Sequence, residues 1–250
     1  MNKFIFTASV CVAFFFAACG DDSSSATRLS EESSSSVASP MSSWSGGGAG
    51  TIGSITDTRD GQTYKTVSIG TQTWMAQNLN YKTESNSYCY NGEESNCSKY
   101  GRLYTWAAAM DSVGSWSANG KGCGYGKTCS PTYPVRGVCP EGWHLPTQTE
   151  WNTLFTAVGG QSKAGKMLKS TSGWNSSGNG TDAYSFSALP AGGRGGNGHF
   201  NYEGNNAYFW SSTDDNSYYA YSMILYYNGD YAGLDDGNEG YGFSVRCVKD

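Results

Sequence analysis

The chain has 250 residues and a net charge of −5, with 15% charged and 14% aromatic residues. An acidic chain of this kind has no electrostatic footprint for nucleic acid. Tyrosine, glycine and small polar residues stand where Lys and Glu normally cover a surface. That composition suits recognition, because a tyrosine ring gives large contact area at low entropy cost.

Lys3 precedes an apolar run over residues 4–18, followed by Cys19 and Asp21-Asp22. A run this short, ending in small residues, predicts a secretory signal over residues 1–18 and not a membrane span. Phe16-Ala17-Ala18-Cys19 resembles the lipobox of bacterial lipoproteins. The resemblance implies cleavage before Cys19, acylation of its thiol and a membrane partner through that lipid anchor. The expected location is extracytoplasmic and lipid-anchored, on the outer membrane, with display at the cell surface left open. Residues 19–50 are mostly Ser, Gly, Ala and acidic residues without apolar periodicity, which predicts a disordered tether. A flexible chain of that length spans about 30 Å. Trp44, its one aromatic, reads as a loose contact.

Residues 51–250 keep a uniform pattern and predict one domain. A turn at residues 56–62 separates two strands, the second marked by Tyr64, Val67 and Ile69. Gly70-Thr71 turns the chain into a third strand, where Trp74, Met75 and then Leu79 read as core. The alanines of residues 102–110 predict a short helix. The clearest helix follows Pro146. Thr147 and Glu150 form a capping box, Trp151, Leu154, Phe155 and Val158 recur on one face, and Gly159-Gly160 stops the helix. A weaker helix is expected over residues 163–169. Strands are expected at residues 186–189, 208–210 and 219–226, the last turning at Asn228-Gly229, and again at 241–248. Few helices among many short strands predict an α+β fold.

Beyond Cys11 and Cys19 of the leader, six cysteines remain: Cys89, Cys97, Cys123, Cys129, Cys139 and Cys247. An even number in an exported chain predicts disulfides, with 15 connectivities open. No C-x-x-C pair suggests a zinc ribbon or a thioredoxin site. Local spacing favours Cys89–Cys97 and Cys123–Cys129, leaving Cys139–Cys247.

Several segments carry a family resemblance: residues 57–64, 72–81 and 100–106, then Cys139-Pro140-Glu141-Gly142-Trp143-His144-Leu145-Pro146, Phe209-Trp210-Ser211-Ser212 and Phe243-Ser244-Val245-Arg246-Cys247-Val248. Together they resemble the Fibrobacter succinogenes major paralogous domain. That family in turn looks like the fold shared by C-type lectins, formylglycine-generating enzymes and the variable receptor domains of diversity-generating retroelements. The resemblance rests on the stretch Leu145 to Trp151 and on Gly242 to Arg246. It implies a mostly antiparallel, disulfide-stapled fold with its ends together and a binding face of irregular C-terminal loops. It implies no single activity. In the period-two pattern around it, Arg246 is expected to point away from Val245 and Cys247 and to pair with a carboxylate.

No catalytic constellation is legible. His144, between Trp143 and Leu145, is expected to pack or cap; His199 follows a glycine loop, and no serine sits in a nucleophile elbow. The copper-binding cysteine pair of formylglycine-generating enzymes and the histidine cluster of sulfoxide synthases have no counterparts here. The G-x-G-x-x-G run Gly193–Gly198 leads into no helix and reads as a surface loop; neither it nor Gly126-Lys127-Thr128 predicts a nucleotide partner. No metal or cofactor is expected. Calcium is the one cation left open, by Asp214-Asp215-Asn216 and Asp235-Asp236-Gly237-Asn238-Glu239, although ordinary Asx turns are the expected explanation. The remaining constellation is aromatic. Tyr202, Tyr208, Tyr218, Tyr219, Tyr227 and Tyr231, with Asp214, Asp215, Asp235 and Asp236, form the expected ligand face, within a wider set that includes Tyr221, Tyr226 and Tyr241. Such a face suits a polysaccharide or a surface protein. The expected function is a lipid-anchored binding module and not an enzyme. The alternatives are a degenerate or unrecognised formylglycine-generating-type enzyme and a purely structural surface protein.

Overall fold

The computed structural model describes residues 50–250, so the expected signal, Cys19, Trp44 and the expected tether up to residue 49 lie outside the described residues. Strands β1 (Ile52–Thr56), β2 (Thr63–Ile69) and β3 (Gln72–Met75) run as an antiparallel meander. The first turn closes on Asp57, whose amide donates to the Gln62 carbonyl at 2.8 Å. Next come β4 (Ser87–Tyr88), α1 (Glu94–Tyr100), β5 (Leu103–Tyr104), α2 (Trp106–Ala109) and β6 (Trp143–His144). Helices α3 (Gln148–Ala157) and α4 (Gln161–Leu168) follow, then the small hairpin β7 (Gly193–Arg194) and β8 (Phe200–Asn201). The chain ends in β9 (Asn206–Asn216), β10 (Tyr219–Tyr226), β11 (Ala232–Asn238), β12 (Phe243–Ser244) and β13 (Val248–Lys249). One sheet has the order β1-β2-β3-β13-β6, and a second has the order β11-β10-β9-β12-β5-β4. The fold is α+β, mostly sheet with few helices, and holds three disulfides.

Local chemistry explains the best-defined helix. Thr147 Oγ1 accepts the Glu150 amide at 3.2 Å, and Glu150 accepts the Thr147 amide at 2.8 Å, so two orphan donors are satisfied at once. The face carrying Trp151, Leu154 and Phe155 is buried, and Gly159 and Gly160 take the left-handed conformation that ends the helix. Trp151 stacks on Trp74 at 4.6 Å and meets Phe209 at 6.0 Å, joining the helix to both sheets in one core. A second core gathers Trp106, Trp210, Phe243, Trp143 and Leu145 around the buried Cys139–Cys247 bridge. The three bridges are Cys89–Cys97, Cys123–Cys129 and Cys139–Cys247, the pairing that spacing favours.

Four local expectations are corrected. Residues 102–110 are not one helix: Leu103 and Tyr104 pair with β12 and β4, and α2 begins only after its Thr105 cap. Residues 186–189 form no strand, only a single bridge between Ala188 and Lys169. The final strand is broken, because β12 lies in one sheet and β13 in the other. Arg246 sits in that crossing, and among the described residues no carboxylate pairs with it. It donates to Asn78 Oδ1 at 2.7 Å, to the carbonyls of Met75 and Ser187 at 3.3 and 3.0 Å, and to the carbonyl of Phe186. Burial pushes this guanidinium down to about 9. Four oxygens from two segments, residues 75–78 and 186–187, do the work that one carboxylate was expected to do.

Candidate functional site

The register of the C-terminal sheet builds a cleft. On β10, Ser222, Ile224 and Tyr226 alternate onto one face, while Met223 and Leu225 enter the helix-side core. Ser222 lies opposite Asp235 on β11, and Ile224 lies opposite Tyr208 on β9. These residues share an open cleft of about 950 Å³, within the size range of ligand sites. Gly237 is needed beneath it: a Cβ there would lie 2.6 Å from the Phe243 ring and 3.2 Å from Trp210. Phe243 can therefore press against the strand, stacking on Tyr208 at 4.6 Å and meeting Trp210 at 4.4 Å. The β7–β8 hairpin, which carries the G-x-G-x-x-G run, forms one wall. Reciprocal backbone bonds between Arg194 and Gly242, at 2.9 and 2.7 Å, fasten that wall to the sheet.

The expected face divides. Tyr202, Tyr208, Asp235 and Asp236 line the cleft. Tyr218 lies outside the lining but packs edge-on against Tyr125, which is part of it. Tyr219 is exposed away from the lining, Tyr227 packs against the helix-side core, and Tyr231 lies over Gly233. Asp215 accepts the Tyr221 hydroxyl at 3.2 Å, and Asp214 sits near Glu239. The Asx-turn reading also needs correction. Asp214, Asp215, Asp235 and Asp236 lie in strands, and only Asn216 and Asn238 accept amides two residues on, from Tyr218 and Gly240. Tyr226 and Tyr241, each 40% exposed, are cleft residues that the narrower expected face omitted. Arg194 was omitted too, and glycine crowding on both sides was its only signal.

The polar groups of the cleft are oriented. Asn206 Nδ2 donates to the Tyr208 hydroxyl at 2.6 Å, and burial raises that phenol's pKa. The same cause raises the pKa of Tyr226. Both phenols are therefore neutral hydrogen-bonding groups at ordinary pH. Among the described residues, no Lys or Arg forms an ion pair with Asp235 or Asp236, so both carboxylates are free to accept hydroxyl donors.

Two other titratable clusters lie outside the cleft lining. His144 is 5% exposed, and its Nδ1 and Nε2 meet Asp250 at 2.6 Å and Glu150 at 2.7 Å. Burial lowers the imidazole pKa, but the two carboxylates outweigh it and the net shift is upward. This histidine clamps the capped helix to the residue after β13. Cys89, Glu94 and Cys97 converge as metal ligands would, but the two sulfurs are bonded to each other and supply no thiolate.

A family model described as the Fibrobacter succinogenes major domain matches residues 67–249. The chain belongs to that family. No curated protein and no solved structure matches it. In this Fibrobacter major domain, the matched span contains every residue that lines the cleft.

Behind the cleft wall, Glu239 is 1% exposed and its Oε2 has no hydrogen-bond partner among the described residues. Burial, with nearby Asp214, pushes its carboxyl up from 4.5 to about 7. A shift of that size opposes folding by about 3 kcal/mol once the group ionises. The folded pKa lies above the unfolded one, so the native state holds the extra proton. Stability is highest below 4.5 and falls as pH rises through 7. Glu239→Gln should flatten that fall in urea-unfolding midpoints taken between about pH 5 and pH 8. Parallel curves for the two proteins would show that another group carries the slope.

Proposed function

We propose that this protein is a non-catalytic, saccharide-binding module, tethered outside the cytoplasm by an acyl chain on Cys19 and built on a C-type-lectin-like fold. The observation that carries the reading is the cleft itself. Tyrosine rings from two strands and three loops border it, interleaved with amides and with carboxylates that form no ion pair among the described residues. Sugar rings present apolar faces for stacking and rims of hydroxyls for hydrogen bonding, and this lining offers partners for both. The lectin-like reading is supported by the meander β1–β3 and the last strand β13 lying in one sheet, which leaves the irregular C-terminal loops to border the cleft.

The test is binding of the purified full chain to a panel of soluble and insoluble polysaccharides. Changing Tyr226 and Tyr241 together to Ala should weaken binding by about tenfold or more, equivalent to about 1.4 kcal/mol. Changing Tyr219 to Ala should leave it near wild type, because that residue is exposed away from the lining. Unchanged binding in the Tyr226/Tyr241 variant would end the cleft reading. In the same preparations, Cys19→Ser should move the protein out of the membrane fraction. A variant that stays membrane-bound would remove the acyl anchor from the proposal.

A further inference from the structure

Arg194 stands apart from the other charged residues of the cleft. Its guanidinium carbon lies over the Tyr88 ring at 4.0 Å from the centroid, with the Phe200 ring at 6.0 Å. Its backbone is pinned to Gly242 by two hydrogen bonds. Among the described residues its side chain forms no ion pair and no hydrogen bond, although it lines the cleft. The contrast with the other arginines is informative. Arg59 grips Asp57 at 2.6 Å, Arg102 meets Glu94 at 3.3 Å, Arg136 donates to the carbonyls of Cys139 and Trp116, and Arg246 is bonded to four oxygens. Among the arginines of the described residues, Arg194 alone is oriented by stacking and left with its donors unspent.

A guanidinium held this way has lost its side-chain freedom before any ligand arrives. It presents a planar fork that matches a carboxylate, and it gives up hydration more readily than an ammonium. Asp235 and Asp236 border the same cleft and can accept only from donors such as hydroxyls. A ligand satisfying all three groups carries a carboxylate and several hydroxyls on rings that fit between tyrosines.

From this, and resting on the saccharide reading above, we propose that the cleft selects uronate-containing polysaccharide, with Arg194 binding the sugar carboxylate. The chain carries a net charge of −5, so it exerts no general pull on polyanions. Any preference for a charged sugar must come from one local contact, and removing that contact should erase it.

The experiment compares polygalacturonate with the same polymer fully methyl-esterified, in EDTA, against the full chain. The backbone is common to both and only the carboxylate differs. The free acid should bind about tenfold tighter or more, as one charge-assisted bidentate contact provides. Arg194→Gln should bind both polymers at the level of the ester, and Arg194→Lys, which keeps charge but loses the fork, should fall between. Thermal midpoints check that each variant is folded; should Arg194→Gln fail to fold, the wild-type comparison and Arg194→Lys decide. Equal wild-type affinity for both polymers overturns the uronate assignment and leaves the saccharide module standing. A free-acid preference that survives in Arg194→Gln also overturns it, by placing the carboxylate elsewhere. Failure to bind either polymer, with capture of polyglutamate instead, overturns this assignment and the saccharide reading together. So does failure to bind any of the three polymers or anything in the polysaccharide panel.

Discussion

Replacing Cys139 and Cys247 together by serine is expected to destabilise the domain by about 4–5 kcal/mol, the largest disulfide effect in the chain. The two cysteines are 108 positions apart, so the bridge closes a long loop in the unfolded state. It also sits where two distant segments must meet. Cys139 precedes β6 and Cys247 precedes β13, and these strands pair through Val248 with His144 and Lys249 with Trp143. Both cysteines are buried in the core around Trp106 and Trp143, so each serine would add a hydroxyl in need of a partner. The control is the Cys89/Cys97 pair, whose separation is 8 and whose loss should cost about 2.5 kcal/mol by the same loop argument. Guanidinium unfolding of the two double variants measures both. A Cys139/Cys247 variant no weaker than the Cys89/Cys97 variant would mean that loop length does not set the ranking here.

Arg246→Leu is expected to cost about 3–5 kcal/mol, the range for breaking a buried charge from its partners. Two effects oppose each other. Burial alone disfavours the guanidinium, as its depressed pKa of about 9 records. Leucine would relieve that penalty. It would also strand Asn78 Oδ1 and the carbonyls of Met75 and Phe186 in the buried interior, and the carbonyl of Ser187 at a half-buried position. Each orphaned acceptor costs about 1–3 kcal/mol, and four of them outweigh the relief. Leucine also gives up the stacking of the guanidinium on Phe186 at 4.5 Å. Arg246→Lys should lose less, since three donors can still reach some of the oxygens. Chemical-denaturation midpoints rank the three proteins. A leucine variant as stable as wild type would show that these carbonyls find other donors.

The same residue shows where sequence reading stops. Alternation around Val245 and Cys247 implied a regular strand and a carboxylate partner for Arg246. The chain instead leaves one sheet and enters the other at that point, and Val245, Arg246 and Cys247 are all buried. Asn78, whose Oδ1 accepts from Arg246 at 2.7 Å, is 168 positions away. No window of neighbouring residues contains that information. The ligand face was only partly legible for a related reason. Which tyrosines share a face depends on strand register, and β9 pairs with β10 through irregularities between Tyr219 and Ser222. A shift of one residue there sends a side chain to the opposite face, so counting alternate tyrosines from Tyr219 could not say whether Tyr226 or Tyr227 faces the cleft.

The sequence by itself determined the α+β class, the Thr147–Glu150 capped helix with its glycine stop, the hairpin turn after Tyr226 and the set of six paired cysteines. Each of these depends on residues a few positions apart, or on a count of thiols. Only the tertiary structure decided the cleft, the oxygens around Arg246 and the unspent guanidinium of Arg194. Those are set by strand order, register and the crossing between sheets, which bring together groups that the linear chain keeps far apart.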